Sequence, residues 1–563
     1  MTINHASRFF ALLAALVCAL ACTLARAEEL NLSFDYGNLP AEKQFLGDIV
    51  RTRIAERSDG GTLSVAYSID TSLAPEEYVL QADGGSATIT GGDVRALVFG
   101  TGALLRAIDY APERFTVPAI SLREKPDTSF RCCYFARHYH NWYNMASAEE
   151  QRRYVEDLAL WGFNTITAVI IPTFEFTSQP DQEQWDRMVD SFLACADCAK
   201  RMEMNIASIT CPNQGWRDLP ERLGAVTGER VPDDDLNVCY SKEGAREYLD
   251  NILRKFLGTI DSDTLDYFVF WPFDEGGCLC ENCSPWANNG FLRITDEQSR
   301  LIEDEGLSRC DFILSTWWFA EHEFEAVWKW LEDHPRFKYV LADGGGGAFP
   351  QYPKEHPLPE GHSLITFPEI SMWGRDPWGG YGATVLANHL SGLWSNARGY
   401  VDGCMLYSEG IYEDINKVIE GGFYCGDLPA DESLRRYARY ELCGVDPEDF
   451  LTLAHDFEKI HHISETPSDS DRQTAVESMR RVIKMDSMIN PKLRDCWRWR
   501  QIYCRAVTDY ERCVHKTINT PAYAEAIREL REIYRSDLPE GCATPSFPKG
   551  EIQNFPRPEE ELK

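Results

Sequence analysis

The chain has 563 residues, with 56 Lys and Arg against 89 Asp and Glu, and a formal charge of −33 at pH 7. That balance excludes nucleic acid and anionic membranes as partners held by surface attraction. The length exceeds one ordinary domain.

Residues 1–27 read as a secretory signal peptide. Arg8 supplies positive charge, Phe9 to Ala21 are apolar, and Ala25, Arg26 and Ala27 give the small-x-small pattern, with cleavage after Ala27. The apolar run is shorter than the roughly 20 residues of a bilayer span, so no integral membrane segment is expected after cleavage. The mature chain is expected outside the cytoplasm, periplasmic or extracellular. Of 19 cysteines, Cys18 and Cys22 fall in the leader, leaving an odd number. In an exported protein that demands at least one free, metal-bound or intermolecular thiol.

Residues 28–122 read as a small α/β domain. Strands are expected at 30–32, 63–67 and 88–90, with a helix over 42–57 and another containing Leu97, Leu104, Leu105 and Ile108. The run from Pro118 to Asp127 reads as a linker. From Phe130 short apolar strands alternate with amphipathic helices, the mark of βα units and a parallel sheet. Strands are expected near 130–136, 163–171, 204–210, 266–272, 311–317, 337–343, 362–369 and 401–407. Helices are expected near 148–161, 181–201, 242–257, 294–305, 321–333, 382–397 and 411–421, with no clear helix between strands six and seven. Eight such strands within residues 128–425 predict a (β/α)₈ TIM barrel. Residues 431–537 are charged and helical, and 538–563, rich in Pro and Glu, read as a loose tail.

Barrel enzymes gather their chemistry at the C-terminal ends of the strands. That rule selects Asp274 and Glu275 after strand four, Asp343 after strand six, Glu369 after strand seven and Glu409 after strand eight. So many carboxylates on one rim suit glycoside hydrolysis, which sets a protonated acid against a second carboxylate. Trp271, Trp317 and Trp373, with His138, His140, Asn141 and Tyr143 after strand one, are candidates for substrate contact. Cys278, Cys280 and Cys283 follow the acid pair closely. With Cys239 from another rim loop they suit a structural zinc, and a disulfide with a spare thiol equally well. No cofactor is expected to be required for catalysis.

The segment GGDVRALVFGTGALLR (91–106) resembles the small domain preceding the barrel in beta-hexosaminidases and xylan-type alpha-glucuronidases. The pair after strand four, in FVFWPFDEGG (268–277), is similar to the hexosaminidase pair. That resemblance implies Glu275 as general acid and Asp274 as the residue orienting a substrate acetamido nucleophile. The later barrel resembles the alpha-glucuronidases, which implies Asp343 and Glu369 as the groups activating water for inversion. PEISM (368–372), PWGG (377–380) and YSEGIYEDIN (407–416) are similar to bacterial relatives of both. Two departures stand out: WPFDE (271–275) replaces the hexosaminidase His-x-Gly-Gly-Asp-Glu, and the cysteine loop belongs to neither pattern. The expectation is therefore an exo-acting glycoside hydrolase cleaving a terminal hexosaminide or uronide from a glycan. The alternative is a non-catalytic glycan-binding protein on the same scaffold.

Overall fold

A computed structural model describes residues 29–137, 141–168, 173, 176–228, 236–272, 277–307, 309–343, 348–371, 382–462, 466–535 and 548–563. The expected signal peptide lies outside these. Among the described residues, no helix is long and apolar enough to cross a membrane.

The chain opens with a five-stranded sheet in the order Leu30–Asp35, Gly61–Ile69, Ser86–Gly91, Tyr78–Asp83 and Ile120–Glu124. The first three strands are parallel, and Tyr78–Asp83 runs antiparallel to both of its neighbours. The strand Ile120–Glu124 corrects the linker expected there. It is an edge strand with a largely exposed, charged face, so its composition mimics a loop. Helix Val94–Ala107 starts at Asp93, whose carboxylate accepts the Ala96 amide at 2.7 Å. It is pressed between this sheet and the barrel. A Cβ on Gly102 would stand 2.0 Å from the Leu160 carbonyl, so the close approach demands glycine.

Eight parallel strands follow: Phe130–Phe135, Thr165–Ala168, Asn205–Thr210, Tyr267–Phe270, Asp311–Ser315, Phe337–Leu341, Ser363–Ile365 and Gly403–Ser408. Numbered one to eight in that order, they pair in spatial order 7-6-5-4-3-2-1-8. Strands seven and eight close the cylinder through the parallel bridges Thr366–Cys404 and Glu369–Tyr407. This is the TIM barrel expected from the sequence.

Side chains alternate across the wall, and the inward set fills the barrel. Phe130, Tyr267 and Tyr339 pack together at the N-terminal end, with centroids 4.7–5.8 Å apart. Val269, Ile313, Leu341 and Met405 form an aliphatic middle. Tyr134, Trp271, Trp317, Phe367 and Tyr407 form an aromatic layer at the C-terminal end.

The helix expected over 382–397 begins at Ala387. Before it, the Thr384 and Leu386 amides are engaged by the Tyr412 carbonyl and Asn416 Oδ1, which holds the chain extended. Five further helices, Ala430–Glu441, Pro447–Lys459, Asp469–Met488, Trp497–Tyr510 and Pro521–Ile533, pack on one another beside the barrel. Arg498 joins the three bodies at a buried junction. It meets Asp414 at 2.9 Å, Asp157 at 3.0 Å and Glu441 at 3.7 Å, while Arg53 and Arg57 of the first domain meet Asp157 and Glu441. The loose tail is a second correction, since residues 548–563 are docked. Phe555 stacks on His515 at 4.1 Å, Arg557 pairs with Glu525 at 2.8 Å, and the Tyr503 hydroxyl donates to Glu559. One aromatic anchor and alternating charges supply what the Pro-rich composition conceals.

Candidate active site

The two-residue period of the strands carries straight into the mouth of the barrel. Leu341 points inward, and Asp343 is next in phase on strand six. Ile365 and Phe367 lead in the same way to Glu369, and Met405 and Tyr407 lead to Glu409. Three adjacent strands thus deliver three carboxyl groups above the aromatic layer. Asp343 and Glu409 are each 1 % exposed, and Glu369 is half-buried.

Glu409 sits in an environment that favours its neutral form. Burial pushes its carboxyl well above the usual carboxylate range, and the nearby charges of Glu413 and Glu369 push the same way. A hydrogen bond from Tyr407 Oη at 2.6 Å opposes them. Such crowding separates carboxyls into proton holders and charged partners, the division of labour that acid–base chemistry needs.

Behind strand eight a buried polar network fixes this wall. One oxygen of Glu413 accepts Ser408 Oγ at 2.5 Å and the Glu409 and Gly410 amides at 2.9 and 3.2 Å. Lys417, one helical turn on, places its ammonium 3.8 Å from the same oxygen. Its three hydrogens are spent on Tyr143 Oη at 3.0 Å, Tyr154 Oη at 2.7 Å and the Gly410 carbonyl at 2.6 Å. Sequence reasoning missed this pair. Its signal was an acid at the N-cap and a base four residues on in the helix Asp414–Gly426.

Two residues expected to meet substrate are turned inward instead. Tyr143 is fully buried, stacks on Phe135 at 4.1 Å and contacts Ser408. Asn141 caps the short helix Trp142–Met145 and donates to the Ala136 carbonyl at 2.6 Å. Both therefore brace the rim, a correction to their assigned role. Trp271 and Trp317 lie in the aromatic layer with centroids 5.5 Å apart. Trp318, which the sequence did not single out, is 58 % exposed beside Trp317 and adopts φ 60°. A bulky side chain in that sparsely populated region is uncommon. Asp274, Glu275, His138, His140 and Trp373 lie outside the described residues.

Cys239, Cys278, Cys280 and Cys283 do come together, with their sulfurs all within 4.8 Å of one another. They lie on the loops after strands three and four, on the same face of the barrel as the carboxyls. A separate cavity of about 350 Å³, bordered by Tyr78, Arg106, Trp161 and Arg436, opens at the opposite end. That end of such a barrel serves stability, and Arg106 there is committed to the Leu160 carbonyl.

No protein-family model matches the chain, and no curated protein matches it in sequence. Solved structures share its fold. A family GH115 4-O-methyl-alpha-glucuronidase with specificity for decorated arabinogalactans superposes with a TM-score of 0.58 at 9 % identity, covering 90 % of this chain and 76 % of that one. A GH138 enzyme targeting pectin rhamnogalacturonan II gives 0.54 at 10 % identity, over 90 % and 91 %. A GH89 enzyme from Clostridium perfringens, in complex with GlcNAc-alpha-1,4-galactose, gives 0.57 at 11 % identity, over 83 % and 61 %. All three are glycoside hydrolases, as the resemblance in the sequence suggested, and the likeness establishes the architecture.

Proposed function

We propose that the chain is an exo-acting glycoside hydrolase that removes a terminal hexosaminide or uronide from a glycan. The observation that carries this reading is the electrostatic proximity of Glu369 and Glu409 past the ends of strands seven and eight, beyond an aromatic layer, with Asp343 in the same phase after strand six. Aromatic faces stack on sugar rings, and carboxyls of unequal proton affinity supply an acid and a base. In this reading Glu275 is the general acid that protonates the leaving oxygen. Glu369, with Asp343, activates water in an inverting route, for which the acid and base stand about 6.5–9.5 Å apart. A substrate bearing its own acetamido nucleophile would use Asp274 in place of that base. Trp318 is a platform for the sugar or the aglycone.

The test is a panel of aryl glycosides that includes glucuronides and N-acetylhexosaminides, run with the wild type and Glu275→Gln. Hydrolysis by the wild type, reduced about a hundredfold or more in the variant, is the expected result. Full activity in Glu275→Gln removes the acid assignment. Glycan retention with no turnover of any sugar would favour the binding-protein alternative.

A further inference from the structure

We propose that Cys239, Cys278, Cys280 and Cys283 hold one zinc ion in a closed four-thiolate site that clamps the loop after strand three to the loop after strand four. The inference rests on the cysteine geometry and stands or falls independently of the glycosidase reading.

Four sulfurs converge from two separate loops, three of them within six residues and the fourth from far upstream. No S–S bond joins any of the four in this structure. Cys239 and Cys280 have sulfurs 3.7 Å apart. A tetrahedral ion with zinc–sulfur bonds of about 2.3 Å sets its ligand sulfurs about 3.8 Å from one another. A disulfide would require about 2.05 Å. Cys239, Cys278 and Cys283 are buried and Cys280 is half-buried, which suits a structural site with no open position.

The surroundings are also those of ligating thiolates. The Val226 amide donates to Cys278 Sγ at 3.3 Å, and Ser241 Oγ lies 3.2 Å from Cys283 Sγ. Donors of this kind orient and tune metal-bound sulfur. The two loops are tied together beside the cluster by Leu279 N to the Val226 carbonyl at 3.0 Å, and the loop after strand three is closed on itself there by Cys239 N to the Leu223 carbonyl at 2.8 Å. Gly277, next to the first ligand of the second loop, lies against Trp286, where a Cβ would stand 2.0 Å from the indole. The chain is thus anchored from Gly277 onward, two residues after Glu275. Four thiolates leave no coordination position for water or substrate, so the ion organises the loops and takes no part in bond cleavage.

The full chain, purified with reductant in metal-free buffer, should carry about one zinc by elemental analysis. Four thiols should become reactive only after unfolding with a chelator, and Cys239→Ser and Cys280→Ser should each lose the metal. Chelation of the folded protein should lower its Tm, with recovery on adding zinc. Absence of stoichiometric zinc, even after zinc is supplied with reductant, overturns the proposal. So does a peptide map showing disulfides among the four cysteines. Iron in place of zinc would overturn the choice of ion. Zinc in a protein that hydrolyses no glycoside would leave the clamp standing and count against the glycosidase reading alone.

Discussion

Around Arg498 the buried charges alternate in sign: three arginines, Arg53, Arg57 and Arg498, face Asp157, Asp414 and Glu441. Around Glu409 the neighbours are two further carboxyls, Glu413 and Glu369, and the Tyr407 phenol. The first arrangement offsets the cost of burying charge and ties three structural bodies together. The second concentrates like charges, which costs stability and spreads proton affinities. The chain thus buries carboxylates in two electrostatic settings, one charge-paired and one like-charged, and under the proposed function the second supplies the reagents.

The sharpest way to break this contrast is to neutralise one member of each set. Glu369→Gln should lower kcat by about a thousandfold on a substrate found in the glycoside panel, with no loss of Tm. A variant that keeps its rate shows that the mouth carboxyls are not reagents. Arg498→Met should leave Asp414 and Asp157 buried without their shared partner, and should cost about 3 kcal/mol in denaturant unfolding. A loss below about 1 kcal/mol would mean that the junction is held by apolar packing instead.

The smallest effect concerns protons. The raised affinity of Glu409 means that the native state binds a proton more tightly than the unfolded chain does. Its contribution is therefore greatest below the ordinary glutamate value of about 4.5 and is lost as pH rises toward the folded value. Glu409→Gln should flatten the fall in Tm as pH rises above the ordinary glutamate range, by on the order of 2 °C. An unchanged slope would show that Glu409 is not a proton holder.

The eight barrel strands were legible because buried parallel strands are short apolar runs, such as FVF before Trp271. The edge strand Ile120–Glu124 was not, since an exposed, charged strand has the composition of a linker. Glu369 and Glu409 could be placed at strand ends by counting, and the shared parity with Phe367 and Tyr407 explains their inward direction. Counting failed for Asn141 and Tyr143. They follow strand one as rim residues should, but a turn of helix folds Tyr143 back under strand eight to meet Ser408 and Lys417. Contacts separated by 265 and 274 residues leave no local trace in the chain.

Tyr407 carries a double duty. Its amide donates to the Pro368 carbonyl at 3.0 Å, closing the seam between the last two strands beside Glu369, while its phenol donates to Glu409. A residue that helps to shut the cylinder therefore also tempers the proton affinity that burial raises in a carboxyl inside it. Removing the phenol alone would leave the backbone bond of the seam in place and raise the proton affinity of Glu409 further.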